Sequence, residues 1–399
     1  MNLTLALVAV VALSGTPKFQ RHDIDDFPGG YQATVTDVNG DGRIDVLVLS
    51  IGGNNVVWYE NPGSPEAKWK QHPIAKTTLD IDMAPHDIDG DGKPEIALAY
   101  GFYFGDGDKG GDLHWLKPQS DFNLPWQSHP IAVDPVTHRV RWGDLDGDGR
   151  MELVHAPFFG PGSKGIAKPT PCHLWAFRIP AHPATDTWPA WKIDETLTGM
   201  HGVYVADIDN DGRAEVVTAS FEGIHRFDWE GQGSSAQWKK LHVSPGAAAG
   251  NPNDVNSPRG SSEVAFGQLT ADRKHPFYAA IEPWHGNQLV VYTSPEKEGF
   301  WNRRVLNSTL EQGHGLAVAD LDGDGQSEIV YGWRGATNHG VAIYDPDATG
   351  ENFTKIDLDP TMPADCTLVA DINGDGKPDL VVVGGNANKV AWYENVMGK

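Results

Sequence analysis

The sequence predicts an all-β chain, a seven-bladed β-propeller with four antiparallel strands per blade. Three observations carry this. A nine-residue acidic segment recurs six times, and a seventh, worn copy keeps the rhythm. Short β-rich runs follow each copy in the same order. The last repeat stops one strand short, and a strand resembling the missing one lies near the N-terminus.

The acidic segments read DVNGDGRID from Asp37, DIDGDGKPE from Asp87, DLDGDGRME from Asp144, DIDNDGRAE from Asp207, DLDGDGQSE from Asp320 and DINGDGKPD from Asp371. The worn copy is QLTADRKHP from Gln268, and successive starts lie 50 to 63 residues apart. A period of that size marks a solenoid, propeller or array. A short apolar stretch precedes each segment, as at Val203–Ala206, and predicts a first strand. A second strand follows, as in DVLVLS from Asp45 and EIVYGW from Glu328. Aromatic third strands come next (VVWYEN from Val56, VAWYEN from Val390), then fourth strands such as WKQHPIA from Trp69. Turns rich in Gly, Asn, Asp and Pro separate them. Four strands repeated seven times make a propeller. FQRHDID from Phe19 resembles WKQHPIA and is expected to complete the last blade, which would remove an exposed edge.

The 399 residues, 39% of them hydrophobic, suffice for one large domain, expected over residues 15–399. Residues 3–13 form an apolar run followed by small residues, read as a signal peptide over residues 1–14. The chain is therefore expected to be secreted or periplasmic, with no membrane association after cleavage. Cys172 and Cys366 fall in different blades and are not expected to pair. The formal charge of −23 belongs to the acidic segments, whose 22 carboxylates at positions one, three, five and nine leave about −1 elsewhere. A balanced surface argues against nucleic acid as a partner.

Oxygen-bearing side chains at those positions, with Gly at position six, suit structural calcium. The expected ligands are Asp37, Asn39, Asp41 and Asp45; Asp87, Asp89, Asp91 and Glu95; Asp144, Asp146, Asp148 and Glu152; Asp207, Asp209, Asp211 and Glu215; Asp320, Asp322, Asp324 and Glu328; Asp371, Asn373, Asp375 and Asp379. The bland alternative is a metal-free turn in which Asp side chains bond backbone amides. The segments resemble the FG-GAP or VCBS repeats of integrin-type and bacterial propellers.

Function is expected on the opposite face, around the channel. Six positions before each segment lie Tyr31, Ile81, His138, His201, Ser262, His314 and Asp365, followed by Gln32, Asp82, Arg139, Gly202, Glu263, Gly315 and Cys366. His138, His201 and His314 at one register could hold Zn2+ or another divalent transition metal with a position open for substrate. Each taken singly is better read as a polar plug. Loops of the same face add Tyr103, Phe104, His155, Lys164, Trp284, His285, Trp333, Arg334 and His339, a mixture suited to carbohydrate. Packing between blades remains the stronger reading for Trp333. The long approach to blade 5 from Ser244 ends at Arg259 and Glu263 and could be a lid. His22, His72, His129 and His242 repeat with the outer strands and are read as structural.

The segments APHDIDGDGKPE, HRVRWGDLDGDG, HAPFFGPGSKG, EPWHGN and HGLAVADLDGDG followed by GWR are together more specific. They resemble the propeller portion of aldos-2-ulose dehydratase and its bacterial relatives, over roughly residues 19–395. The resemblance implies a lyase removing water from a small keto-sugar with metal assistance. It implies no isomerase step, which belongs to cupin domains absent from this sequence. Elimination needs a base at the acidified C–H, an electrophile for the enolate and an acid for the departing oxygen. On this reading His155 or His285 is base or acid, Arg139, Arg334, Glu263 and Tyr103 complete the catalytic set, and Trp284, Trp333, Lys164 and Arg259 bind substrate. Two other readings stand beside it: a polysaccharide lyase on uronic-acid glycans, and a non-catalytic calcium-stabilised propeller binding glycan or protein.

Overall fold

Within each repeat the β-branched and aromatic runs become strands and the Gly- and Asp-rich segments become turns. In blade 1 the strands are Gly30–Thr36, Asp45–Ser50, Asn55–Glu60 and Lys70–Ala75, paired in that order. The computed structural model describes residues 15–231 and 236–398, and the expected leader at 1–14 lies outside the described residues. Seven such four-stranded sheets form, all antiparallel. The second strands are buried except at an end residue in blades 2, 5 and 6, because neighbouring sheets cover both faces. The fourth strands form the rim, and Lys70–Ala75 alternates between exposed and covered positions.

The innermost strands touch their neighbours all the way round, and the inner strand of blade 7, Cys366–Ala370, meets that of blade 1. The ring is therefore closed. Blade 7 is assembled from both parts of the chain: Phe19–Asp26 pairs antiparallel with Lys389–Asn395, from Phe19↔Asn395 to Asp26↔Lys389. Ile24 inserts into the core between blades 7 and 1. Arg21 reaches Asp359 of blade 6 at 2.8 Å, which ties the strand to a second blade.

The recurring outer histidines stack on third-strand rings. His22 lies 4.6 Å from Trp392, His72 4.3 Å from Trp58, His129 4.5 Å from Trp115 and His242 4.2 Å from His225. Cys172 and Cys366 are both free and buried.

Docking of the N-terminal strand should be measurable. Ile24→Ala is expected to cost about 2–5 kcal/mol in a denaturant melt, as for a core side chain. A cost near zero would mean the strand is not part of the core.

Candidate functional site

The acidic segments lie between the first and second strands of their blades and share one face. Position one folds the turn: Asp37 accepts the backbone N–H groups of Gly40, Asp41 and Gly42 at 2.8–3.1 Å. Position six needs a left-handed backbone, and Gly42 has φ 83°. Position five is used locally, with Asp41, Asp91, Asp148, Asp211, Asp324 and Asp375 each accepting the N–H of position seven. Positions one, three and nine converge instead. Asp87, Asp89 and Glu95 each offer an oxygen within 4.8 Å of the others, as do Asp144, Asp146 and Glu152, Asp207, Asp209 and Glu215, and Asp320, Asp322 and Glu328. Blades 1 and 7 carry Asn39 and Asn373 at position three.

Position nine is buried, and burial pushes Glu95, Glu152 and Glu215 up to about 7 and Glu328 up to about 9. Oxygens of Glu95, Asp146 and Glu328 are buried without a hydrogen-bond partner. A third-strand cation balances three of these clusters: Lys117 bonds Asp89 and Asp91, Arg178 bonds Asp146, and Arg226 bonds Asp209 at 2.8 Å. The cluster of blade 6 has no ion pair among the described residues, and Asp345 adds to its negative field. In blade 5 the turn is held by Thr270 donating to Asp272 at 2.6 Å.

At the other end of the channel the inner strands begin, and all seven register positions from Tyr31 to Asp365 are buried. His201, His285 and His314 each offer a ring nitrogen within 4.8 Å of the others. Nε2 of His201 and Nε2 of His285 are 3.0 Å apart. His201 Nδ1 lies 2.9 Å from Glu263 Oε1 and 3.1 Å from the Ser262 carbonyl, and His314 Nδ1 lies 2.5 Å from the Asp365 carbonyl. Such acceptors place the proton on Nδ1 and free Nε2 to act as a ligand or base. His285 sits in the turn between the second and third strands of blade 5 at φ 47°, a left-handed backbone that a non-glycine residue seldom takes. His138, expected in the metal trio, stands one ring aside, 4.7 Å from His201 and packed on Phe102 and Phe158. His285, expected as base or acid, occupies the third place.

The surrounding charges are paired. Arg139 is buried and donates to Glu263 Oε1 at 2.9 Å, and Arg334 donates to Asp365. The Tyr31 hydroxyl lies 2.9 Å from His314 Nε2, and both guanidiniums flank its ring at 5.8–5.9 Å. Burial, then nearby cations and imidazoles, hold His138, His285 and His314 well below the ordinary imidazole value. His201 is also lowered by burial, against the pull of Glu263. Burial would raise Glu263, but Arg139 and His201 outweigh it and hold the carboxyl below its usual range. Three neutral imidazole nitrogens, two of them on rings with oriented Nδ1–H groups, fit a transition metal that accepts nitrogen ligands.

An aromatic roof covers this cluster. Trp284 stacks on His285 at 4.5 Å and on Phe104 at 6.0 Å, with Phe158 and Phe221 packed against it. Arg259 lies over Phe221 at 4.4 Å, at the edge of the roof. The inserts of blades 2 and 3 are joined by backbone bonds between Gly107 and Ser163 and between Gly162 and Gly107.

Several expected site residues lie elsewhere. Tyr103 is exposed beside Gly110, because the loop sends its neighbours Phe102 and Phe104 inward. Lys164 clamps the two inserts through Asp106 and Asp108 at 3.1 and 2.8 Å. Trp333 is a packing residue, buried against Tyr331 with its indole N–H donated to Asn338. His155 is sealed inside blade 3 against Thr137 and Phe177, so it reaches no substrate.

The propeller and its site bear comparison with known proteins. A family model described as the β-propeller domain of aldos-2-ulose dehydratase matches residues 110–295. Another, the FG-GAP-like repeat, matches residues 37–98 and 320–382. This chain is a seven-bladed propeller that matches the FG-GAP-like repeat in two stretches and resembles the aldos-2-ulose dehydratase propeller. Aldos-2-ulose dehydratase of Phanerodontia chrysosporium is 25% identical over 326 residues, 74% of this chain and 35% of that protein. A rhamnogalacturonan exolyase of Bacillus subtilis is 25% identical over 264 residues, 55% of this chain and 42% of that protein. The chain thus covers well under half the length of either relative. Among solved structures, an Agrocybe aegerita lectin that recognises non-reducing terminal N-acetylglucosamine is 15% identical with a TM-score of 0.50, covering 84% of this chain and 81% of its own. That is a likeness of fold alone.

In this dehydratase-like propeller the sequence reading passed over Tyr31 and Asp365 as site residues, although both stood at the histidine register. It also passed over Phe158, whose PFF context is visible but whose facing is not.

A buried neutral histidine gives the fold a testable pH dependence. Burial pushes His155 down to about 3, so below the ordinary value near 6.5 the unfolded chain binds a proton that the folded one does not. The contribution of His155 is intact above pH ~6.5 and declines as the pH falls towards 3. His155→Leu should flatten the fall of Tm with acidification across that window. An unchanged slope would remove His155 as its source.

Proposed function

We propose that this chain is a carbohydrate-active lyase, with His201, His285 and His314 holding a divalent transition metal such as zinc for β-elimination on a keto-sugar. The convergence of three neutral imidazole nitrogens, two with their Nδ1–H groups already engaged, carries the reading. Such an ion supplies Lewis acidity to a carbonyl oxygen. Glu263 and the Asp365 carbonyl fix the tautomers and ring orientations of His201 and His314. The neutral imidazole of His138, one ring aside from His201, would take the proton from the acidified C–H, and the Tyr31 phenol, raised by burial and still protonated, would give its proton to the departing oxygen. Arg139 and Arg334 beside its ring stabilise the resulting phenolate. Trp284 and Phe104 keep bulk water off the cluster from the roof side. A dehydratase named for an aldos-2-ulose and lyases named for rhamnogalacturonan, all similar to this chain, support elimination on a carbohydrate. The lyases favour a second reading, elimination within an acidic glycan.

Calcium in the acidic turns is a companion proposal. Positions one, three and nine would be the side-chain ligands, and the blade 6 cluster, which has no basic partner among the described residues, would bind most tightly. The apolar run at residues 3–13 is further read as an export signal.

Elemental analysis comes first. About one equivalent of zinc or a similar metal is expected per chain, lost in His201→Ala and His314→Ala but kept in His138→Ala. With 2-keto-D-glucose as substrate, ultraviolet absorbance should report an enone, and Tyr31→Phe should slow its appearance by about 10²–10⁴-fold. Wild-type protein with neither metal nor turnover would end the reading.

Chelation should lower Tm, and added calcium should restore it. Without the ion, a carboxyl whose folded value is raised destabilises the fold as the pH climbs from its unfolded value near 4.5 through about 7. The chelator effect is therefore expected to be larger at pH 8 than at pH 5, and smaller in Asp322→Asn. Equal melting with and without chelator at both pH values would assign the turns to a metal-free role.

A further inference from the structure

Two of the three converging imidazoles are oriented through their own rings. His201 sets Nδ1 against Glu263 and the Ser262 carbonyl, and His314 sets Nδ1 against the Asp365 carbonyl. His285 is different. It has no Nδ1 acceptor among the described residues, and it lies on no strand. Its ring is placed by the turn at residues 283–287 and by the stack on Trp284. Whatever fixes that turn therefore fixes the third nitrogen of the cluster.

The turn is rooted in a buried carboxylate. Glu282, the residue before it, is 0% exposed. Its Oε1 accepts the hydroxyls of Ser261 at 2.8 Å and Tyr292 at 2.5 Å. Its Oε2 accepts Nε and Nη2 of Arg303 at 3.0 and 2.8 Å. These donors come from the approach to the first strand of blade 5 and from its third and fourth strands, so one side chain gathers the whole blade beneath the turn. The turn then closes on its root. Gly286 donates its N–H to the Pro283 carbonyl at 2.7 Å, and a Cβ at Gly286 would stand 2.3 Å from the Glu282 carbonyl. The Gly286 carbonyl accepts the N–H of Gly313, next to His314, at 2.9 Å.

The repeat does not call for this carboxylate. By the pairing of first and second strands, Glu282 holds the register of Ser50, Tyr100, Pro157, Ser220, Trp333 and Gly384, none of them charged. A buried ion pair adds little net stability over apolar residues of similar volume, so stability alone does not account for one here. It does impose geometry, because a carboxylate with four donors is held in one place. Ligands of a metal site need placing to within about 0.5 Å.

We propose that Glu282 is a positioning residue for the metal site: its carboxylate, clamped by Ser261, Tyr292 and Arg303, fixes the turn that presents His285 Nε2 to the ion. The assignment rests on reading the histidine cluster as a metal centre. Glu263 orients His201 by touching its ring, whereas Glu282 orients His285 through the backbone.

The test is zinc affinity. Protein stripped of zinc and kept in calcium is titrated with zinc against a chromophoric competitor. Tm and the visible absorbance of the cobalt(II)-loaded form, which reports ligand geometry, are measured beside it. Glu282→Gln should weaken zinc binding about 10–100-fold and change the cobalt spectrum. Ser261→Ala with Tyr292→Phe keeps the charge pair, and so guards against loss of folding; it should weaken zinc binding about tenfold. Phe277→Leu, in the core at the other end of the same strand, should lower Tm and leave both metal readouts as in wild type. Wild-type zinc affinity and cobalt spectrum in either clamp variant overturn the anchor and leave the metal reading standing. Equal weakening in Phe277→Leu does the same, since the effect would then be one of general stability. No zinc bound by wild type removes the metal reading, and the anchor with it.

Discussion

Ring closure is the constraint on which the rest of this structure depends. Seven inner strands meet around one axis, so a residue at a given register in one blade faces its counterparts from all the others. Tyr31, His201 and His314 are more than a hundred residues apart in sequence and meet only because each opens an inner strand. The same geometry that would bring identical residues into conflict lets different ones form a site. Four of the seven register positions are Tyr or His, and the remainder are Ile, Ser and Asp.

Electrostatics decides which protonation states survive there. Two guanidiniums, Arg139 and Arg334, stand next to the imidazoles, and each is matched by one carboxylate, Glu263 or Asp365. The pairs cancel locally, which makes it possible to bury them. Their residual field still disfavours a proton on His314 and His285, so the rings stay neutral and nucleophilic. A buried pair of this kind contributes little net stability, but removing one partner would strand the other's charge. Its value here lies in fixing imidazole tautomers.

The repeat made the architecture legible. Spacing of the acidic segments, the order of strand types and the borrowed last strand all follow from short-range pattern, and the inner-strand register follows from counting back from each segment. What counting could not supply is where a loop sends its side chains. His285 enters the cluster from a turn with a left-handed backbone, and His138 is displaced by the Phe102 and Phe158 rings. Tyr103 and Phe104 stand side by side in the sequence, but alternation along the insert turns Tyr103 outward and Phe104 onto Trp284. His155 looked like a loop residue beside PFF and proves to end a second strand, facing Thr137.

The borrowed strand also bears on how the molecule is made. Phe19 pairs with Asn395, so the first strand synthesised has no partner until almost the whole chain exists. At about 5–20 residues per second, the 376 positions between them take roughly 20–75 s. For that interval Phe19–Asp26 is a free β-edge attached to a growing row of blades, able to pair with any other exposed strand. Its sequence is charged at Arg21, Asp23, Asp25 and Asp26 and apolar only at Phe19 and Ile24. That pattern keeps a waiting strand soluble until blade 7 arrives to receive it.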